Sequence, residues 1–116
     1  ALDGYEDKIN SLFSLEGYIF VGAWNGWSNS DGNYALNDNG DGTMSITVMV
    51  EESDYMGGRI VTAGDWDTDK GCTIVTTGKD LIAEDGGSDN NIVFLAPGTY
   101  TVTWDTAANE ITITAE

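Results

Sequence analysis

Two tryptophans stand where tryptophan is hardest to explain. Trp27 lies in the turn-like stretch NGWSNSDG and Trp66 in AGDWDTDKG, both among Asn, Asp, Ser and Gly. Such neighbours offer nothing apolar to bury an indole, so each ring is expected to keep a large apolar face in water. A pyranose is a neutral partner that suits such a face. Its axial C–H surface is apolar while its hydroxyls remain hydrogen-bonded around the rim. Covering roughly 50–80 Å² gains about 1–2 kcal/mol per ring at ~25 cal/mol per Å². One platform is nearly cancelled by ordering costs; two reach roughly millimolar to tens-of-micromolar affinity.

Other chemistries are poorly supplied. The chain has no histidine, which removes the commonest general base, the usual zinc and copper ligand, and every Ser-His or Cys-His nucleophile pair. Paired carboxylates remain, and Asp65 and Asp67 flank Trp66. Nothing in their sequence surroundings desolvates either enough to make it an acid, so the domain is expected to be non-catalytic and without a cofactor. NDNGDG (residues 37–42) has the alternating oxygens of a calcium loop, but it lacks the closing bidentate glutamate and leads straight into a strand. A β-turn is the better reading, and no metal is expected. Cys72 has no second cysteine to pair with and reads as a small residue in or beside a strand.

Composition narrows the partners. Acidic residues number 20 against four Lys or Arg, a formal charge of −16. That field repels nucleic-acid phosphates, anionic lipid headgroups and acidic polysaccharides, whereas a neutral sugar is unaffected. No apolar run approaches the roughly 20 residues of a membrane span, so no membrane insertion by this domain is expected. A length of 116 residues suits one small domain with a single core.

The elements that must position Trp27 and Trp66 read as strands. Residues 1–16 (ALDGYEDKINSLFSLE) space their apolar positions nearly helically, as an N-terminal extension: either a short helix or the tail of a preceding linker. From residue 17 to 116 the period is two. YIFVGAW (Tyr18 to Trp24) is apolar on both faces, hence central. TMSITVMV (Thr43 to Val50) puts Met44, Ile46, Val48 and Val50 on one side. RIVTA (Arg59 to Ala63), TIVTT (Thr73 to Thr77) and NIVFL (Asn91 to Leu95) follow, and TYTVTWD with EITITA closes the chain as a hairpin with Tyr100, Val102, Trp104, Ile111 and Ile113 inward. Trp104 and Trp24 are therefore expected in the core. Seven to eight short strands with Gly- and Asn-rich turns describe an all-β, immunoglobulin-like β-sandwich.

Three segments, in the right order, resemble a family. GAWNGWS (Gly22 to Ser28) is similar to the G-x-[aromatic]-N-x-W turn of glycogen-binding modules, such as those of branching enzymes and the energy-sensing kinase, and to the starch-binding domains of the SusE and SusF lipoproteins of gut bacteria. RIVTAGDW (Arg59 to Trp66) resembles a segment in which a basic residue leads a strand and a tryptophan follows seven positions later. DNNIVFLAPGTYTVTWDTAANEITIT (Asp89 to Thr114) resembles the family's closing loop, P-G turn and hairpin. The resemblance implies a carbohydrate-binding site for starch-type α-glucans in which Trp27 and Trp66 form a curved platform, Arg59 donates to sugar hydroxyls, and Asn90 clamps adjacent hydroxyls, with Asn91 a further contact. The basic position is Arg59 where the family usually has lysine, so a planar fork replaces a point donor.

The expectation is a module binding α-glucan polysaccharide or oligosaccharide, covalently linked to other domains of a larger protein, extracellular or on a bacterial cell surface. The alternative is an immunoglobulin-like spacer or adhesion domain, with Trp27 and Trp66 as protein-interface anchors.

Overall fold

A computed structural model describes residues 17–83 and 90–116 of the chain. The expected N-terminal extension or helix (residues 1–16) and the EDGGSD turn (residues 84–89) lie outside them.

Among the described residues eight strands form two sheets that pack as a sandwich, as expected. In chain order they are β1 (Tyr18–Gly22), β2 (Asn37–Asp38), β3 (Thr43–Val50), β4 (Gly57–Thr62), β5 (Val75–Thr77), β6 (Ile92–Val93), β7 (Gly98–Asp105) and β8 (Glu110–Ala115). One sheet has the order β1-β4-β6, the other β2-β3-β7-β8-β5. Pairing is antiparallel except that β5 lies parallel to β8. Three 3₁₀ turns, Gly32–Tyr34, Cys72–Ile74 and Lys79–Leu81, are the helical elements of the described residues.

Alternation builds the core. Ile46, Val48 and Val50 of β3, Tyr100, Val102 and Trp104 of β7, and Ile111 and Ile113 of β8 project from the larger sheet. They meet Phe20, Ile60 and Ile92 from the smaller one, and Phe94 just past its β6 strand. Phe94 stacks on Tyr100 at 4.3 Å between centroids, and Tyr18 meets Trp104 edge-on at 4.8 Å. Trp104 is buried as expected, and its indole N–H donates to Asn109 Oδ1 across the closing turn at 3.2 Å. Asn109 is left-handed there (φ 56°), a conformation asparagine tolerates.

Besides β4, which runs Gly57–Thr62 rather than Arg59 to Ala63, three elements differ from the sequence expectation. β1 stops at Gly22 rather than continuing to Trp24. Asn25 intervenes: its Oδ1 accepts from Gly22 N, and Gly22 O accepts from both Asn25 N and Trp27 N, so the chain closes into a turn. Trp24 still packs against the core, but from that turn and only half-buried, its indole N–H donating to Phe20 O at 2.8 Å. TIVTT does not begin as a strand. Asn90 takes Thr73 N on its side-chain oxygen (2.8 Å) and Cys72 N on its carbonyl (3.2 Å), turning residues 72–74 into a 3₁₀ turn. NIVFL shortens to Ile92–Val93, with Phe94 making one isolated bridge to Ile82.

NDNGDG is a turn only from residue 39, since Asn37 and Asp38 pair with Ser45 and Met44 as β2. Asp38 Oδ1 accepts from Gly40 N, and Asp41 Oδ1 accepts from the amide (3.0 Å) and hydroxyl (2.6 Å) of Thr43. Those hydrogen bonds hold the Asp41 carboxyl below the usual aspartate range.

Candidate functional site

β1 and β4 have two useful faces. Phe20 and Ile60 point into the sandwich, whereas Ile19, Val21 and Val61 form a second buried cluster on the outside of the small sheet, with Arg59 beside them on the same face. Trp27, Tyr34, Ala35 and Ala63 cover that cluster. The cover comes from two loops that leave opposite ends of the β1–β4 pair and fold over it. Asn29 pins them together: its carbonyl accepts from Gly64 N (2.8 Å) and its Nδ2 donates to Asp65 O (3.0 Å).

Trp27 is held in this arrangement at a cost. Gly26 and Trp27 are consecutive left-handed residues, with φ of 65° and 63°. Glycine accepts this conformation freely, but for a bulky residue it costs on the order of 1–3 kcal/mol. Asn25 fixes the turn by bonding Gly22 N and Ser28 O. One part of the Trp27 ring covers the aliphatic cluster and the rest stays accessible, whereas Trp66 is 46% exposed.

Between the two tryptophans runs a continuous polar and aromatic chain. The Arg59 guanidinium lies 5.7 Å from the centre of the Trp66 ring, a cation–π distance. Its Nη1 donates to Asn91 Oδ1 at 3.2 Å. Asn91, only 3% exposed, donates from Nδ2 to the Tyr55 hydroxyl at 2.7 Å. Tyr55, 41% exposed, lies nearly parallel to Trp27 (20°) with centroids 6.3 Å apart. Arg59 Nε sits 3.2 Å from Asp69 Oδ1, close enough for charge pairing, but its buried N–H has no acceptor in line. Asp69 is half exposed, so this pair orients the guanidinium more than it stabilises the fold.

Four of the five residues expected from sequence thus lie together, Trp27, Arg59 and Trp66 partly accessible and Asn91 buried. Asn91 is committed to Arg59 and Tyr55. Asn90 is used differently: its amide bonds Thr73 N and Asp69 O, and it supports the loop that carries Asp69.

Tyr55 carries no motif in the sequence, and Asp69 stands out there only as the end of DWDTD, an acidic run discounted as a calcium site. The signal for Tyr55 was the Gly57–Gly58 pair that follows it. A Cβ on Gly57 would come within 2.8 Å of Tyr55 Cε2, so the ring lies directly over that glycine. Gly57→Ala is therefore expected to push Tyr55 away from Trp27 and, by parting the Tyr55 hydroxyl from the buried Asn91 amide, to cost about 1–3 kcal/mol. Near-UV circular dichroism reads this as a weakened aromatic band and urea unfolding as a lowered midpoint.

Chemically, the surface pairs apolar ring faces with fixed N–H donors, the combination a ligand with apolar faces and a hydroxylated rim requires. Among the described residues no group of three acidic or thiol side chains gathers to hold a metal ion. Asp65 accepts from Trp66 N at 2.7 Å, and both Asp65 and Asp67 are exposed. No helix of the described residues is long and apolar enough to cross a membrane. Compared with known proteins, the chain matches no family model, and no curated protein or solved structure aligns with it significantly.

Proposed function

We propose that this chain is a non-catalytic carbohydrate-binding module that takes α-glucans, as malto-oligosaccharides, starch or glycogen, on the outer face of its three-stranded sheet. The observation that carries the reading is the unbroken chain Trp66–Arg59–Asn91–Tyr55–Trp27, which sets aromatic faces on either side of an oriented donor. Each ring that stacks on a sugar contributes about 1–2 kcal/mol. Because Asn91 already fixes Arg59 and Tyr55, little side-chain freedom remains to be lost on binding.

The choice of an α-glucan follows the resemblance of the Gly22–Ser28, Arg59–Trp66 and Asp89–Thr114 segments. It also fits rings carried on separate loops rather than at alternate positions of one strand, where they would form a flat strip. In this reading the module belongs to a larger extracellular or cell-surface protein and raises the local glucan concentration for a linked enzyme or transporter.

Trp, Tyr and Arg are also the residues that anchor protein interfaces, so an immunoglobulin-like protein-contact domain is the second reading. Native electrophoresis through gels containing amylopectin separates them. A glucan module is retarded in proportion to the amylopectin, whereas a protein-contact domain migrates as it does in plain gel. Arg59→Met keeps the aliphatic stem but removes a charged donor worth about 1.5–3 kcal/mol, so at least a tenfold loss of maltoheptaose affinity is expected. Unchanged affinity would remove Arg59 from the site.

A further inference from the structure

A second surface has the opposite chemistry. A cleft of about 360 Å³ opens between the turn after β1 and the segment leaving β3. Trp24, Tyr34, Met49 and Met56 line it, and Glu51 and Glu52 stand among the lining residues. The side-chain donors around it are already spent: Trp24 Nε1 on Phe20 O, the Tyr34 hydroxyl on Trp24 O, and the Ser53 hydroxyl on Tyr55 O. What remains among the side chains is two carboxylates, an indole face and thioether sulfur, a set that accepts and attracts but does not donate. A sugar needs both donors and acceptors. An ammonium or guanidinium needs only these.

Both carboxylates are exposed, and among the described residues the one ion pair is Arg59–Asp69, elsewhere on the molecule. The cleft also lies at the end of an open sheet edge. β2 pairs only with Met44 and Ser45 of β3. Asn39 N donates to Thr43 O, so alternate peptide groups of β3 face that side. Beyond Ser45 these belong to Thr47 and Met49, and among the described residues no strand meets them. Met49 is 67% exposed. A second copy of the chain, at net charge −16, is repelled from this edge.

We propose that the free edge of β3 and the cleft beside it dock an extended, basic polypeptide segment, with a lysine or arginine side chain seated between Trp24 and the carboxylates of Glu51 and Glu52. Main-chain bonds to Thr47 and Met49 add the segment as a strand, and the cleft selects its charge. The cleft adjoins the Trp27–Trp66 face through Tyr34 and the Ser53–Tyr55 bond, but none of Trp27, Tyr55, Arg59, Trp66 and Asn91 lines it.

The test titrates the whole domain with a capped hexapeptide alternating threonine and lysine, followed by amide and indole NMR shifts. Saturable shifts at Thr47, Met49, Glu51 and the Trp24 indole are expected. Glu51→Gln with Glu52→Gln should weaken binding by at least about tenfold, as loss of a charged hydrogen bond does, and leave maltoheptaose binding unchanged. Asp80→Asn with Glu110→Gln removes the same charge elsewhere and should change peptide affinity by less than about twofold. Equal weakening by both pairs would mean only diffuse attraction to an acidic protein, and overturns the proposal. So would shifts confined to other residues, no binding, equal binding of the peptide with glutamate in place of lysine, or an affinity matched by N-acetyl-lysine amide alone.

Discussion

Alanine at both Trp27 and Trp66 is expected to weaken maltoheptaose binding severely while the sandwich still folds. Each indole face contributes about 1–2 kcal/mol, so removing both lowers affinity by roughly 30- to 1,000-fold, from tens of micromolar into the millimolar range or weaker. The two single variants separate binding from stability. Trp66 is 46% exposed and covers none of the buried clusters, so Trp66→Ala should lower affinity about tenfold and change stability by less than about 1 kcal/mol. Trp27 covers Ile19, Val21 and Val61, so Trp27→Ala should lower affinity comparably and also cost about 1–2 kcal/mol of stability. Titration and urea unfolding on the same samples check both. A double variant that unfolds normally and binds as tightly as the parent would place the site elsewhere.

The largest stability effect is expected at Gly58. A Cβ there would lie 2.0 Å from the Val21 carbonyl oxygen and 2.4 Å from Trp24 Cζ2. The first of these is backbone of the neighbouring strand, paired in register with β4, and it cannot swing aside. Gly58→Ala must therefore part β1 from β4 or expel Trp24 from the sheet face. Either costs more than the ~1–3 kcal/mol typical of overpacking, a large share of the ~5–15 kcal/mol that holds a domain folded. Because β1 and β4 also carry the outer face, glucan binding should fall with stability. Gly32→Ala is the control, since its Cβ meets nothing within 4 Å and its φ is not positive. A Gly58→Ala midpoint equal to that of Gly32→Ala would contradict the account of how Trp24 packs.

The parts of the fold legible in sequence are those where a two-residue period decides burial. TMSITVMV gave β3 residue for residue, and TYTVTWD with EITITA gave the closing hairpin, because one face of each is apolar and the other threonine-rich. YIFVGAW misleads because an apolar run carries no mark of where the strand ends. The end is set by the Asn25 side chain, and the room for Trp24 by glycines on two strands, Gly22 and Gly58. The 3₁₀ turn at Cys72–Ile74 depends on Asn90, whose side chain reaches Thr73 across 17 positions of sequence. Local propensity cannot register such a contact.

The site divides in the same way. Polar neighbours in sequence set Trp27 and Trp66 apart, but only Trp66 is exposed; Trp27 is half-buried, because folding brings Ile19, Val21 and Val61 against its ring. Arg59 and Asn91 came from resemblance and prove to be hydrogen-bonded neighbours. Tyr55 was hidden because its position depends on the bare backbone of Gly57, and on an Asn91 amide 36 residues away. Nothing in the sequence showed that the Asn90 amide would bond the backbone of residues 69–73.

Isothermal titration of the domain with maltoheptaose, with cellohexaose as the control, tests the central claim most directly. The account predicts saturable, exothermic binding of maltoheptaose in the tens-of-micromolar to millimolar range, and none of cellohexaose. Silence with both sugars would contradict it and turn the Trp27–Tyr55–Trp66 surface into a protein-contact face; binding of cellohexaose alone would keep the platform and reject the α-glucan.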